Sequence, residues 1–282
     1  MSIWKNTLAA AALASVCTVS IAGTAAASGM LFAIDPFSNS LHQIDPTTGA
    51  DITTTTMTLA GETINGGNGL AFNHLTGEMF AILKLQGQST RELVRIDPLT
   101  GIAVSIGDTG DRFAGLTFDA MGTLYGVTGD GASVSESLFT INTSTAATTF
   151  VMSLGNGNDG EGIAYNPDDG LIYHTSGIAG GSILEAIDVG AMTVTNIPLS
   201  DASLATEIFG IVYDPMQGLL LASNISSNFL SITTGGVVTD IGGNSRDLRG
   251  MAFYTVSEPL TLGLFGLGLA GLGFAARRRK TA

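Results

Sequence analysis

Gly69-Leu70-Ala71-Phe72 is a phrase the chain repeats, as Gly115-Leu116-Thr117-Phe118, Gly162-Ile163-Ala164-Tyr165, Gly210-Ile211-Val212-Tyr213 and Gly250-Met251-Ala252-Phe253. The copies start 46, 47, 48 and 40 residues apart. In each copy the positions of Leu70 and Phe72 are large and those of Gly69 and Ala71 small or modest. A strand alternates its side chains, so the large and small sets lie on opposite faces. After each of the first four copies comes a turn rich in Gly, Asp or Pro, then a second apolar strand such as Met79 to Ile82 or Leu124 to Val127. A third strand follows, as in Leu93 to Ile96 or Leu138 to Ile141, and then a fourth rich in Thr, Val and Ile, as in Ala147 to Leu154. Alternation, β-branched content and closely spaced turns mark antiparallel strands, and no segment here has helical periodicity.

Four strands in about 45 residues is the size of one β-propeller blade. Residues 30–254 number 225, or 45 for each of five blades. Near a propeller's axis the sheets crowd, so the large face of one signature strand needs the small face of the next. The fifth signature has no strands after it, while Met30 to Ile34, Asn39 to Asp45 and Ala50 to Leu59 are three strands with no signature before them. Joining the two ends completes one blade and removes the free sheet edges that invite aggregation. The expected fold is all-β: a five-bladed propeller of four-stranded antiparallel blades closed by both termini, spanning residues 28–256.

Ile44-Asp45-Pro46-Thr47-Thr48-Gly49 and Ile96-Asp97-Pro98-Leu99-Thr100-Gly101 read as tight hairpin turns between third and fourth strands. Asp accepts backbone N–H bonds, Pro presets φ and Gly supplies φ > 0. These units resemble the strand-turn units of bacterial surface propellers of the YVTN or NHL type. Asn166-Pro167-Asp168-Asp169-Gly170 is a turn by the same chemistry.

The last 26 residues have a different character. Ser257-Glu258-Pro259 precedes an apolar run, Leu260 to Ala276, and then Arg277-Arg278-Arg279-Lys280. As a helix the run would rise about 25 Å, a little short of a hydrocarbon core of about 30 Å. The cations place its end in the cytoplasm. Residues 257–282 resemble the PEP-CTERM sorting signal of Gram-negative bacteria, a tripartite tail with transmembrane helix 260–276. Members usually read Pro-Glu-Pro; here Ser257 takes the first position, and Glu258 and Pro259 match the other two. The resemblance implies recognition and cleavage by an exosortase, with the precursor in the inner membrane and the product at the cell surface or in the extracellular matrix. At the other end, Lys5, the apolar segment Leu8 to Ala22 and Ala25-Ala26-Ala27 form a signal peptide, residues 1–27, whose helix a signal peptidase would remove. Cys17, the one cysteine, lies inside it. The exported chain from Ser28 therefore has no thiol and no disulfide.

Between the two signals, six bases face 23 acids, a net charge of −17. Nucleic acid and anionic lipid surfaces are excluded as partners by this balance, because phosphate binding needs clustered Lys and Arg. Cations, neutral glycans and other proteins remain. His42, His74 and His174 have no zinc or copper spacing and read as surface or packing residues. No Gly-x-Ser-x-Gly elbow and no phosphate-cradling Gly-x-x-x-x-Gly-Lys loop is present. The stretch from Asn156 to Glu161 alternates oxygens with Gly but fails the EF-hand pattern, with Gly160 at its fifth position.

One constellation survives. Ligands of propellers sit at the mouth of the central channel, formed by loops that lead into the innermost strands. The residues just before each signature include Asn65 and Asn68, Asp111 and Arg112, Asp159 and Glu161, Glu207, and Arg246, Asp247 and Arg249. The candidate ligand-binding set is Asn68, Asp111, Arg112, Glu161, Glu207, Asp247 and Arg249; Asp159, Glu161 and Glu207 are the candidate metal ligands. Glu161-Gly162-Ile163-Ala164-Tyr165 with Pro167, Asp169 and Gly170 resembles the matching strand of phytase-like and SdiA-regulated propellers, which implies calcium at the mouth. Two arrangements stay open: converging carboxylates that hold calcium, or carboxylates paired with Arg112 and Arg249 that plug the channel. The first would suit a calcium-dependent lactonase- or phytase-like hydrolase with Glu161 or Glu207 as metal ligand or base. The second suits a surface binding module, the reading favoured here.

Overall fold

The computed structural model describes residues 29–155, 160–178, 181–201, 203–243 and 246–255. The signal helix, the helix at 260–276, the motif Ser257-Glu258-Pro259 and Asp159 lie outside the described residues. Among those described there are 21 strands and no helix, so none is long and apolar enough to cross a membrane.

The strands form five sheets. Blade I contains β1 (Met30–Ile34), β2 (Ser40–Ile44) and β3 (Asp51–Thr56), with β21 (Arg249–Tyr254) innermost. Blade II follows β4 (Thr58–Leu59) and contains β5 (Ile64–Asn73), β6 (Glu78–Leu85), β7 (Glu92–Ile96) and β8 (Ile102–Asp108). Blade III has β9 (Phe113–Phe118), β10 (Leu124–Thr128), β11 (Ser137–Ile141) and β12 (Thr148–Ser153). Blade IV has β13 (Gly160–Asn166), β14 (Leu171–Ile178), β15 (Gly181–Asp188) and β16 (Thr193–Pro198). Blade V has β17 (Ile208–Asp214), β18 (Leu219–Asn224), β19 (Asn228–Ile232) and β20 (Val238–Gly243). The molecule is the expected five-bladed propeller. Its closing blade joins both ends of the ring through antiparallel pairs such as Leu31 with Phe253 and Ala33 with Met251.

The signature strands β21, β5, β9, β13 and β17 are innermost and touch one another in that cyclic order. The signature glycines Gly69, Gly162, Gly210 and Gly250 are contact points. A Cβ added at Gly69 would lie 3.0 Å from Leu116 Cγ, one at Gly162 would lie 2.8 Å from Ile211 Cγ2, and one at Gly210 would lie 2.9 Å from Met251 Sδ. At Gly250 it would strike the backbone of Asn68, Gly69 and Leu70. Each of these glycines thus receives the next blade's signature strand, at the position of its first large residue. Five hydrophobic clusters fill the five interfaces: Phe32 with Leu70 and Phe72, Phe80 with Leu116 and Phe118, Val127 with Ile163, Tyr173 with Ile211, and Leu31 with Leu221 and Met251.

One expected strand is divided. Ala50 to Leu59 reads as a single fourth strand, but β3 stops at Thr56, Met57 is buried, and β4 pairs in parallel with β8 of the next blade. The Met57 N–H donates to the Asn39 carbonyl at 2.6 Å and the Thr58 N–H to the Gly101 carbonyl at 2.9 Å. Burying the Met57 side chain turns the chain inward, and its end straps blade I to blade II. The Asp-Pro-x-Thr-Gly turns form as read: the Asp45 carboxylate accepts the Thr47 N–H at 2.8 Å, and Asp97 that of Leu99 at 2.9 Å. Gly101, at φ +73°, lies against the carbonyl of Thr56, so this turn also seats on the preceding blade.

Gly210→Ala tests the axial contacts, because its Cβ would sit 2.7 Å from the Leu248 carbonyl oxygen and no positive φ complicates the site. Overpacking of this kind costs about 1–3 kcal/mol and, in a ring this size, lowers Tm by about 2–12 °C. Gly235→Ala, whose nearest neighbour would be Thr233 Oγ1 at 3.8 Å, should leave Tm unchanged by calorimetry. Equal melting of the two variants would refute the axial role of Gly210.

Candidate functional site

Every innermost strand carries a register irregularity beside its signature. On β5 it falls at Asn68, on β9 at Ala114, on β17 at Phe209 and on β21 at Gly250, while on β13 two residues, 161 and 162, oppose Thr175 alone. A bulge bends its strand and re-aims the residues beside it. The mouth is built where these bulged ends meet the loops between second and third strands, which come from residues 35–39, 86–91 and 129–136 among others.

The candidate acids do not share one arrangement. Asp111 fastens the loop before β9 to the loop after β10. It accepts the Ser133 N–H at 2.8 Å, the Ser133 hydroxyl at 2.7 Å, the Val134 N–H at 3.2 Å and the Arg112 N–H at 2.8 Å. Burial pushes its carboxyl up, but the bonds from Ser133, Arg112 and Val134 outweigh that and hold it below the usual range. Asp247 grips Arg249, whose Nη2 donates to it at 2.8 Å. Glu207 is exposed, with φ +37°, and its N–H donates to the Ser182 hydroxyl at 3.1 Å. Glu161 lies on β13 with its side chain outside the described residues. Among the described residues no three His, Cys, Asp or Glu side chains come together as a metal site. Asn68 is buried, and its Oδ1 has no hydrogen-bond partner.

The bases do gather. The Arg249 guanidinium stacks on Phe209 at 3.7 Å and lies 5.7 Å from the ring centre of Phe37, and Lys84 Nζ lies at the same 5.7 Å from Phe37. Lys84 Nζ donates to the Pro36 carbonyl at 3.0 Å. Burial, then the charges of Arg249 and Arg91, push its pKa down to about 8, with Asp247 and Asp35 opposing. Arg91 is lowered by burial and by Arg112 beside it. Arg112 Nε donates to the Ser89 carbonyl at 3.0 Å. Arg249, Lys84, Arg91 and Arg112 thus form a run of interacting cations along one end of the ring. Lys84, Arg91, Phe37 and Phe209 are absent from the set read off the sequence, which considered charged and amide residues only in the segments leading into innermost strands. Counting bases on the loops between second and third strands and on the strand ends that lead into them, Arg91 and Lys84, would have exposed the cluster.

Two histidines are core residues. His42 is buried with Nδ1 3.3 Å from Asp51, and His174 is buried with Nδ1 2.7 Å from Glu185. Close by, the Ser176 hydroxyl donates to the buried Glu136 carboxylate across the interface of blades III and IV. His174, Glu185, Ser176 and Glu136 are sealed from solvent, whereas Asp51 is partly exposed.

Residues 255–280 match the PEP-CTERM protein-sorting motif, so the tail carries that signal. No curated protein matches the chain in sequence. Among solved structures, a chain of a nidogen/laminin complex is similar with a TM-score of 0.52 and 11% identity over 79% of this chain and 98% of that one. A protein of unknown function from Bacteroides thetaiotaomicron VPI-5482 gives 0.50 and 13%, over 83% and 62%. TolB from Acinetobacter baumannii gives 0.49 and 14%, over 83% and 54%. Similarity at these identities shows the fold alone.

The Lys84 environment has a pH signature. The unfolded chain keeps this proton to about pH 10.4, whereas the folded chain releases it near 8. Above pH 8 the unfolded state binds more protons, so the cost of burying the charge is full below 8 and fades as pH rises. Lys84→Met should therefore be more stable than wild type at pH 7, and the gap in urea midpoint should shrink by pH 9.5. A gap independent of pH would contradict the buried ammonium.

Proposed function

We propose that the chain is made as a precursor, exported by the Sec route, cut after Ala27, and sorted by an exosortase that reads Glu258 and Pro259. The propeller then acts as a binding module at the cell surface or in the extracellular matrix of a Gram-negative bacterium. The observation that carries this reading is the sorting motif at 255–280, which starts one residue after β21 ends. Geometry supports display as well. β21 enters the ring at Arg249, beside the mouth, and leaves at Tyr254, the opposite end of the innermost strand. A tether beginning at residue 255 would turn the mouth away from the membrane. A rigid ring with closed edges and a concave end suits binding.

The double variant Glu258→Ala with Pro259→Ala separates a sorted precursor from a simple anchored protein. In the native host it should accumulate as uncut precursor in the inner membrane, while wild type is processed. Equal precursor-to-mature ratios on an immunoblot would sink the sorting reading.

A further inference from the structure

The geometry points to a carboxylate-binding site at the channel mouth, formed by Lys84 and Arg249 beside Phe37 and continued by Arg91 and Arg112, that takes an acidic sugar of the uronate class. This deepens the binding-module reading and rests on it. The exported domain has six bases, and four of them lie here. Arg249 has Asp247 as its counter-ion. The other three cations donate only to backbone carbonyls: Lys84 to Pro36, Arg91 Nη1 to Thr90 at 3.2 Å, and Arg112 to Ser89. No ion pair among the described residues includes any of the three. Arg91 Nε is buried and has no partner at all.

Half-buried cations without counter-ions are costly, and this protein has a large surplus of acids from which to supply them. Among the described residues, the acids nearby are turned elsewhere. Asp111 holds Ser133 and Val134, and Asp35 accepts the N–H groups of Phe37 and Ser38. An incoming carboxylate meets that deficit, since guanidinium and carboxylate bond in a matched fork. Two further features select what carries it. Phe37 is 74% exposed beside two of the cations, an apolar platform for the face of a sugar ring. Asn68 holds a buried acceptor oxygen without a donor, a partner for a hydroxyl. Inorganic phosphate has no ring face to set on Phe37. The depressed proton affinity of Lys84, set by burial, Arg249 and Arg91 against Asp247 and Asp35, adds a pH dependence.

Titration calorimetry of the purified full chain with D-glucuronate at pH 7 tests the site, with D-glucose, acetate, inorganic phosphate and calcium chloride as comparison probes. Saturable binding of glucuronate is expected, with none of glucose and at least tenfold weaker binding of acetate and phosphate. Lys84→Met and Arg91→Gln should each weaken glucuronate at least tenfold, the loss of one charge-assisted hydrogen bond, while melting cooperatively. Raising the pH from 7 to 9 should weaken wild type and leave Lys84→Met unchanged. The proposal is overturned by no saturable glucuronate binding, by acetate or phosphate binding as tightly, by wild-type affinity in both variants, or by a response to calcium alone. A correctly sorted tail with a silent mouth would remove this site and leave export and display intact. Failed sorting with intact glucuronate binding would do the reverse.

Discussion

The absence of a Cβ on the innermost strands is what lets this ring exist. Backbone and large side chains of one blade enter the space that a side chain would occupy at Gly69, Gly162, Gly210 and Gly250 of its neighbour. With Cys17 the one cysteine, no disulfide holds the blades together. Cohesion rests on these axial contacts, the five apolar clusters outside them and the pairing of β21 with β1. The closing strand is held from three sides, by β1 in its own sheet and by β5 and β17 across the axis. Gly250 is the tightest of these positions, at φ +55° and against the backbone of Asn68 and Leu70. It allows the last blade added by the chain to seat against one formed near its start.

Blade number, the four-stranded plan of each blade and the closure were legible in the sequence because each depends on a repeated local pattern. Period-2 alternation fixes faces, and the positions of Gly210 and Met251 follow from it without knowledge of pairing. Bulges were not legible. A bulge adds one residue to one strand of a pair, so it is a property of register between two segments, and alternation resumes on both sides of it. Asn68 was placed at the mouth by its position before the signature, but Phe209 reads as an ordinary strand residue, and its place there emerges only with the partner strand in view. Thr58 and Leu59 escaped for a similar reason, since the inward turn at Met57 is driven by a tertiary site that no local signal marks.

Net charge says nothing of where the charges sit. Much of the acid surplus serves backbone turns: Asp35, Asp45, Asp97, Asp119, Asp201 and Asp214 each accept an N–H two residues on. Side-chain and backbone hydrogen bonds from Thr47 hold the Asp45 carboxyl below its usual range, and those from Ser203 do so for Asp201. Such carboxylates satisfy turn backbone and report nothing about a ligand. Their number, summed over the domain, hides the few bases, four of which share one end of the ring. What a composition excludes is a uniform surface of one sign, not a local field.

The two ends of β21 tie these observations into one arrangement. Arg249 begins the strand, stacked on Phe209 and paired with Asp247, and Tyr254 ends it one residue before the sorting motif. Strand direction in an innermost position is not free, because reversing β21 would carry Gly250 and Met251 away from Leu70 and Gly210. The packing rule that closes the ring therefore also puts the chain's exit at the end of the axis opposite the cations. In the proposed display, the mouth would therefore face outward as a consequence of closing the ring, with no further device needed to orient it.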